Sequence, residues 1–408
     1  MDLRRIYRTI EQLAGQDFTS EEELLAFIMK EIVRSEEIPI KGGRVWKLNA
    51  NGGYYELIHQ EGDIEKIKQR YRLKISEYIL ELPKRRTILA SETDKYLRKR
   101  GIDSYSATGV GEKVRWQGHM LYQYLLAVNA DFLDENLAYT LGIIGSALTS
   151  ALKSKKIEQK AQLLESDLDK AREIQKSILP EHEMRFHHYE IYGVSVPERI
   201  VGGDFFDYLQ SGEDSDRLGI AIGDAASKGL SAAAQALYIS GALRMGAEFQ
   251  TKISSLMTKA NKLMHRTFPE ERFVTLFYGE LTNDKNGLLI YANAGHTSPI
   301  LLHTKTDDIE YLAPTGQMLG PFPNETYRTE SAHMKPGDLL LLYTDGVTED
   351  VNERGEMFGE TRLADLLRKH RDESAKEITQ FILEEVETFS TRSDRSDDKT
   401  LVVIRRNA

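Results

Sequence analysis

Cysteine is absent from all 408 residues, which excludes disulfides, thiolate zinc sites and cysteine nucleophiles. Any metal must be held by oxygen or imidazole. An excess of positive charge is missing as well: 54 Lys and Arg stand against 64 Asp and Glu, a formal charge of -10. Such a chain repels phosphate backbones and anionic lipid, so neither nucleic acid nor a membrane surface is an expected partner. No apolar run reaches the roughly 20 residues that a bilayer-spanning helix requires. The longest weakly polar stretch, Tyr139–Leu152, is interrupted by Gly, Ser and Thr. Met1-Asp2-Leu3-Arg4-Arg5 leads straight into a charged helical pattern without the apolar core of a signal peptide. The expectation is a soluble, cytoplasmic protein. Internal repeats and low-complexity segments are lacking too, and the length favours two domains or more.

What is present divides into three stretches. Over residues 1–150, helical and strand-like patterns alternate. Leu24, Leu25, Ile28, Ile32 and Val33 recur at helical spacing before a strand at Arg44–Leu48. Asn49–Gly53 reads as a hairpin turn with Tyr54–His59 as its return strand. A second strand pair is expected across Gly118–Val128. A helix from Glu135 then carries Leu137, Leu141, Ile144 and Leu148 along one stripe. Over residues 151–180, Ile157, Ala161, Leu164, Leu168, Ala171, Gln175 and Ile178 alternate spacings of four and three, a heptad seam. Glu, Lys, Gln and Asp fill nearly every other position. A dimeric coiled coil is therefore favoured over an amphipathic helix packed on its own chain. Pro180 ends the helix.

Beyond Pro180, strands are expected at Tyr189–Val196, Leu218–Gly223, Phe273–Leu281, Leu288–Ala294, Pro299–His303, Asp338–Thr344 and Thr400–Arg405. Helices are expected at Leu230–Phe249, Ile253–Phe268, Glu360–His370 and Lys376–Phe389. Strands joined through turns, with helices in separate blocks, point to antiparallel sheets covered by helices.

Four acids stand where strands end, beside small residues or turns: Asp204, Asp224, Asp345 and Asp397. Asp224 and Asp345 each follow an apolar strand directly, so their carboxylates project at its C-terminal mouth. A lone Asp-Gly is usually only a turn. Several acids gathered at adjacent strand ends repel one another unless cations neutralise them, and hard divalent ions prefer such oxygen cages.

The strings GGDFFD, GDAASKG, NAGHTSP, YTDGVTE and SDDKT occur in an order that resembles the PPM-type phosphatases, specifically the bacterial SpoIIE/RsbU-like branch. Ala171–Pro180 resembles the helix that leads into that branch's catalytic domain. The resemblance implies a protein serine/threonine phosphatase, built as a β-sandwich flanked by helices, with two Mn²⁺ or Mg²⁺ ions in a cleft at one end. Carried over by position, Asp224 bridges both ions, Asp345 and Asp397 complete one, and Asp204 with the Ala225 carbonyl serves the other. The substrate class so implied is a phosphoserine or phosphothreonine on an anti-sigma-factor antagonist. A catalytically silent binding module of the same fold is the rival reading, and the four intact acids speak against it.

Several positions depart from the family pattern. Ala226 stands where eukaryotic relatives place a histidine, so the leaving serine takes its proton from water, and Ser227 replaces a common glycine. Arg199 matches a phosphate-gripping arginine of some relatives, with a surface ion pair as the alternative. His296 is read as an imidazole bonded within its loop, and Asp207 and Asp398 as supports of the ligands beside them. The small residues Gly223 and Ala225 are read as admitting the main chain to the ion, and Gly346 as permitting a turn that aims Asp345. Phe205 stands where the GGDEF loop of nucleotide cyclases has an acid, which counts against that reading.

Residues 1–150 loosely resemble a GAF domain. Trp46, Tyr54, Tyr55 and Trp116 are candidates to line a pocket, with aromatic core packing the favoured alternative. The chain as a whole is thus expected to be α+β: a GAF-like α/β sensory domain over 1–150, a coiled-coil linker over 151–180 and an αββα phosphatase sandwich over 181–408. A small molecule or a protein on the front domain, and a homodimer, complete the expected partners.

Overall fold

The computed structural model describes residues 18, 20–35, 38, 40–210, 216–269, 271–390 and 397–407. They divide into two compact units, Met1–Leu164 and Glu165–Ala408.

In the first unit, helix α1 (Glu21–Arg34) starts at Ser20, whose hydroxyl accepts the Glu23 N–H at 3.1 Å. Strands β1 (Gly42–Asn49), β2 (Tyr54–Gly62) and β3 (Arg72–Lys74) follow, then α2 (Glu77–Arg85), β4 (Thr87–Ser91), α3 (Lys95–Lys99), β5 (Ser104–Trp116) and β6 (His119–Asn129). They form one antiparallel sheet in the order β3-β2-β1-β6-β5-β4. Both of its faces are covered. Val45, Leu126 and Val128 pack with Leu24, Leu25 and Ile28 of α1 and with Leu137, Leu141 and Leu148 of helix α4 (Glu135–Ile178). Trp46, Leu125 and Tyr55 pack on the other face with Ile79 and Leu82 of α2 and Leu97 of α3. Alternate side chains therefore enter two different cores. That is why Leu121–Val128 shows no polar alternation in sequence.

Of the candidate aromatics, Trp46 and Tyr55 belong to core packing, the reading the sequence favoured over a pocket. Tyr55 is fully buried and donates to the Tyr122 carbonyl at 2.6 Å, and Trp46 is buried in the same core. Trp116 packs against that core, and Tyr54 lies under the Arg72 guanidinium. A cavity of about 510 Å³ on this unit is lined by other residues, among them Tyr71, Tyr96, Tyr105 and the buried Glu92. Helix α4 is one continuous element of 44 residues. Of the expected seam, Ile157 and Leu164 are exposed, at 58% and 62%. Gln175 departs from it: this residue is buried in the second unit, where its amide is held by backbone, so the heptad does not continue as a solvent-facing stripe to Ile178.

The second unit is a two-sheet sandwich between two layers of helices. Its elements are β7 (Glu183–Phe186), β8 (Tyr189–Val196), β9 (Phe205–Gln210), β10 (Arg217–Ala225), α5 (Leu230–Glu248), α6 (Ile253–Thr267), β11 (Val274–Thr282), β12 (Leu288–Ala294), β13 (Ile300–His303), β14 (Asp308–Tyr311), β15 (Glu330–His333), β16 (Leu339–Tyr343), α7 (Asp345–Thr348), α8 (Gly359–Lys369), α9 (Ala375–Phe389) and β17 (Lys399–Arg406). One sheet runs β15-β12-β11-β10-β9 and the other β14-β13-β16-β17-β8-β7, antiparallel throughout.

The pleat decides which core each residue enters. Leu218, Ile220 and Ile222 of β10 meet Leu340 and Leu342 of β16 and Val402 and Ile404 of β17 between the sheets. The alternate Ala221 and Ala225 turn to α5 and α6, and Leu341, Tyr343, Leu401 and Val403 turn to α8 and α9. The helices and strands anticipated in this unit are present within a few residues of their expected limits, whereas the strand pair expected across Gly118–Val128 of the first unit is one strand, β6, paired with β5. Sequence reading missed β7, β9, β14 and β15 here, and β3, β4, β5, α2 and α3 in the first unit. Most of these are short edge elements without a clear period, whereas β9 is apolar on both faces. Among the described residues, no helix is long and apolar enough to cross a membrane.

Candidate active site

The four expected acids come to one end of the sandwich by strand register. Asp224 shares its strand face with Ile220 and Ile222, so its carboxyl projects between the sheets at the end of β10. Its neighbour Gly223 pairs with Phe205, the first residue of β9, which puts Asp204 alongside. Asp345 follows β16 after one residue, and Asp397 and Asp398 precede β17, the strand paired with β16.

Thr344 ties three of these segments together. Its buried hydroxyl donates to Asp204 Oδ2 at 2.6 Å and accepts the Thr400 N–H at 3.0 Å, and its own N–H donates to the Thr400 carbonyl. Asp398 spends both oxygens on backbone, accepting Glu198 N–H on Oδ1 at 2.8 Å and Gly203 N–H on Oδ2 at 2.6 Å. It braces the Gly202-Gly203-Asp204 loop, as expected of a support. Gly346 is required by close packing and not by a turn: a Cβ there would lie 2.0 Å from the Asp398 carbonyl oxygen. Gly223 likewise makes room for the Phe205 ring, at 2.6 Å from a notional Cβ.

The electrostatics record the crowding. Asp204 is held well above the ordinary carboxylate range, by burial first and then by Asp224. Asp224 is pushed up to about 7 by burial and by the charges of Asp345, Asp397 and Asp398, partly offset by a hydrogen bond with Asp204. Asp345 is raised by burial and by Glu349 and Asp397, and Asp398 is raised by burial. A protein holding this many carboxylates in mutual reach favours a cation or a proton among them.

The donor set fits hard divalent ions, since it is all oxygen, carries no thiolate and is open enough that Asp397 remains half exposed. Among the described residues, however, no three Asp, Glu or His groups converge closely enough to hold an ion by themselves. The Ala225 carbonyl, expected as a ligand, accepts the Ser227 N–H at 2.7 Å and keeps a second lone pair. His296 is buried, and burial lowers its pKa to about 4, so it stays neutral. Its ring bonds Thr275 Oγ1 at 2.9 Å on the strand paired with Asp224, while only its backbone is tied within the loop, to Asn293. Arg199 is exposed on the segment beside Glu198.

Residues 214–407 match the family model described as Stage II sporulation protein E (SpoIIE). This region is a SpoIIE-type phosphatase domain of the PP2C kind. The chain is 27% identical to "Phosphoserine phosphatase RsbU" of Bacillus subtilis (strain 168) over 346 residues, covering 84% of this chain and 98% of that protein. It is 31% identical to "Protein IcfG" of Synechocystis sp. over 270 residues, 59% of this chain and 42% of that one. Among solved structures, the SiaA-PP2C domain of Pseudomonas aeruginosa matches 60% of this chain and 98% of its own with a TM-score of 0.52 at 22% identity, which is a likeness of fold.

Of three further supports of the SpoIIE-type domain, Asp207 was expected but its partners were not, and Gln175 and Lys228 were not legible as supports in the sequence. Asp207, fully buried on β9, accepts Arg244 Nε at 2.6 Å, a second Arg244 nitrogen at 3.1 Å and Ser240 Oγ at 3.0 Å, all from α5. Gln175 donates to the Gly202 carbonyl at 2.8 Å and accepts its N–H at 3.2 Å, gripping the loop that carries Asp204. Lys228 reaches Glu198 at 3.1 Å and Asp397 at 3.5 Å. The sequence separations involved, 27 to 169 residues, carry no local signal.

Proposed function

We propose that this chain is a metal-dependent protein serine/threonine phosphatase whose ions are held by Asp204, Asp224, Asp345 and Asp397, with the Ala225 carbonyl. The observation that carries the reading is the mutual elevation of buried carboxyls at one end of the sandwich, together with the SpoIIE-type assignment of that region. Bound there, two Mn²⁺ or Mg²⁺ ions supply Lewis acidity and activate a water for attack at phosphorus. The chain's own part is preorganisation. Thr344 and Thr400 fix Asp204, the pleat aims Asp224 between the sheets, and Asp398 stiffens the glycine loop. Ala226 offers no proton, so the departing serine oxygen is protonated by solvent at the open mouth.

The substrate proposed is a phosphoserine or phosphothreonine on a small anti-sigma-factor antagonist, supported by the RsbU likeness. The first unit is proposed as a GAF-like sensory domain, taking a small molecule or a protein. Ile157 and Leu164, exposed on one helical seam, support pairing with a second copy of the chain. Gln175 supports control through α4, because the end of that helix holds the Asp204 loop.

Turnover of p-nitrophenyl phosphate by the full chain tests the reading. Mn²⁺-dependent hydrolysis that EDTA and Asp224→Asn both abolish is the expected result. Hydrolysis insensitive to both overturns it, and complete inertness with ample Mn²⁺ favours a silent binding module.

A further inference from the structure

A phosphomonoester arrives with a charge of about −1.5 to −2, and this mouth already holds Asp204, Asp224, Asp345, Asp397 and Asp398. Even after divalent ions bind, a protein cation aimed at the mouth eases the approach of the dianion and orients it. Among the described residues, Lys399 is paired with the buried Asp350 at 3.0 Å, and Arg244 with Asp207 and the Ile178 carbonyl. Lys228 is different. Its ammonium lies 3.5 Å from Asp397 Oδ2, at the rim of the acidic cluster.

Its mount is firm. Lys228 follows Asp224 by four residues, in a loop pinned by Ala226 N–H on the Phe273 carbonyl at 2.9 Å, by Ser227 N–H on the Ala225 carbonyl and by Gln235 on Ser227 Oγ at 3.0 Å. Glu198 holds the ammonium at 3.1 Å, and the Glu198 backbone is in turn anchored on Asp398. Glu198 thus tethers the ammonium, and the face it turns to Asp397 lies at the rim of the acidic cluster.

We propose that Lys228 grips the phosphoryl oxygens of the substrate, as a substrate-binding residue of the phosphatase. The proposal rests on the metal-dependent phosphatase reading above. A charged hydrogen bond to phosphate is worth about tenfold to a hundredfold in binding.

The test uses the full chain with Mn²⁺ and three variants, Lys228→Met, Lys228→Gln and Lys228→Arg, each checked for a wild-type melting transition. Measured are KM and kcat for p-nitrophenyl phosphate, the inhibition constant of inorganic phosphate, calorimetric phosphate binding, and the Mn²⁺ concentration for half-maximal rate. Lys228→Met and Lys228→Gln should weaken phosphate binding and raise KM together, by about tenfold or more, with Lys228→Arg recovering most of the loss. Phosphate constants unchanged in Lys228→Met, or a lower Mn²⁺ requirement as its only effect, would make Lys228 a mere counter-ion of Asp397 and overturn the proposal. Absence of Mn²⁺-dependent turnover in the wild type would overturn the phosphatase reading and this assignment with it, an outcome distinct from a failure of Lys228 alone.

Discussion

Replacing Asp224 by Asn should make the metal-free protein more stable at pH 8 while abolishing its activity. Asp224 has an ordinary value of 3.8 and is pushed up to about 7 in the folded chain, by burial first and by Asp345, Asp397 and Asp398 next. Between those two values the folded state keeps a proton that the unfolded chain has released. Stability therefore falls as pH rises through this window, and the loss is complete above about 7. A rise of about three pH units corresponds to a penalty of up to about 4 kcal/mol at pH 8. The isosteric amide carries no charge and escapes it. For a domain of this size that gain is an upward shift of roughly 10 °C in Tm. At pH 4 both side chains are neutral and the two proteins should melt together. Buried His296, depressed to about 4, works in the opposite direction between about 4 and 6.5, but it does so equally in both proteins. Calorimetric scans of the full chain in EDTA, at pH 4 and pH 8, follow the transition of residues 165–408. Mn²⁺ at pH 8 should stabilise the wild type and leave Asp224→Asn unmoved. A variant no more stable than wild type at pH 8 without metal would refute the claim that these carboxylates repel one another in the fold.

Removing Arg244 leaves the Asp207 carboxylate buried beside only Ser240 and its own strand, so Arg244→Met should destabilise by about 3 kcal/mol, less whatever the exposed face of the guanidinium lets water recover. Urea titration reads it, and Asp207→Leu/Arg244→Met should recover part of the loss. Gln175→Leu removes both hydrogen bonds to Gly202 and should raise the Mn²⁺ concentration for half-maximal rate while altering the melting temperature little; an unchanged Mn²⁺ requirement would exclude Gln175 from positioning the Asp204 loop. Leu342→Ala opens a cavity between the sheets and should lower stability by about 2–5 kcal/mol with kcat per folded molecule unchanged.

The long helices of the SpoIIE-type domain were readable because each buries one stripe: Ile378, Ile382 and Val386 recur at helical spacing and all lie in the core. Its central strands were readable as apolar runs between turn residues. The short edge strands β14 and β15 gave no such signal. The acids were found because each lies next to the limit of a strand, beside small residues or a turn. Asp207 and Asp398 were read as supports beside them, but Thr344, Arg244, Gln175 and Lys228 were not, since these acquire meaning only from partners 27 to 169 residues away. In the first unit, Trp46 and Tyr55 look alike as pocket or core residues in sequence. Burial by α2 and α3 decides for the core. Gln175 fitted the heptad by spacing alone, and a polar seam position was the hint that its partner is a backbone group rather than another helix.

The most direct test is an anomalous-difference map at the manganese edge, from crystals of the full chain grown with Mn²⁺. Peaks bounded by Asp204, Asp224, Asp345 and Asp397 are predicted. Manganese lying only elsewhere, in crystals of a protein whose turnover requires it, would contradict the account.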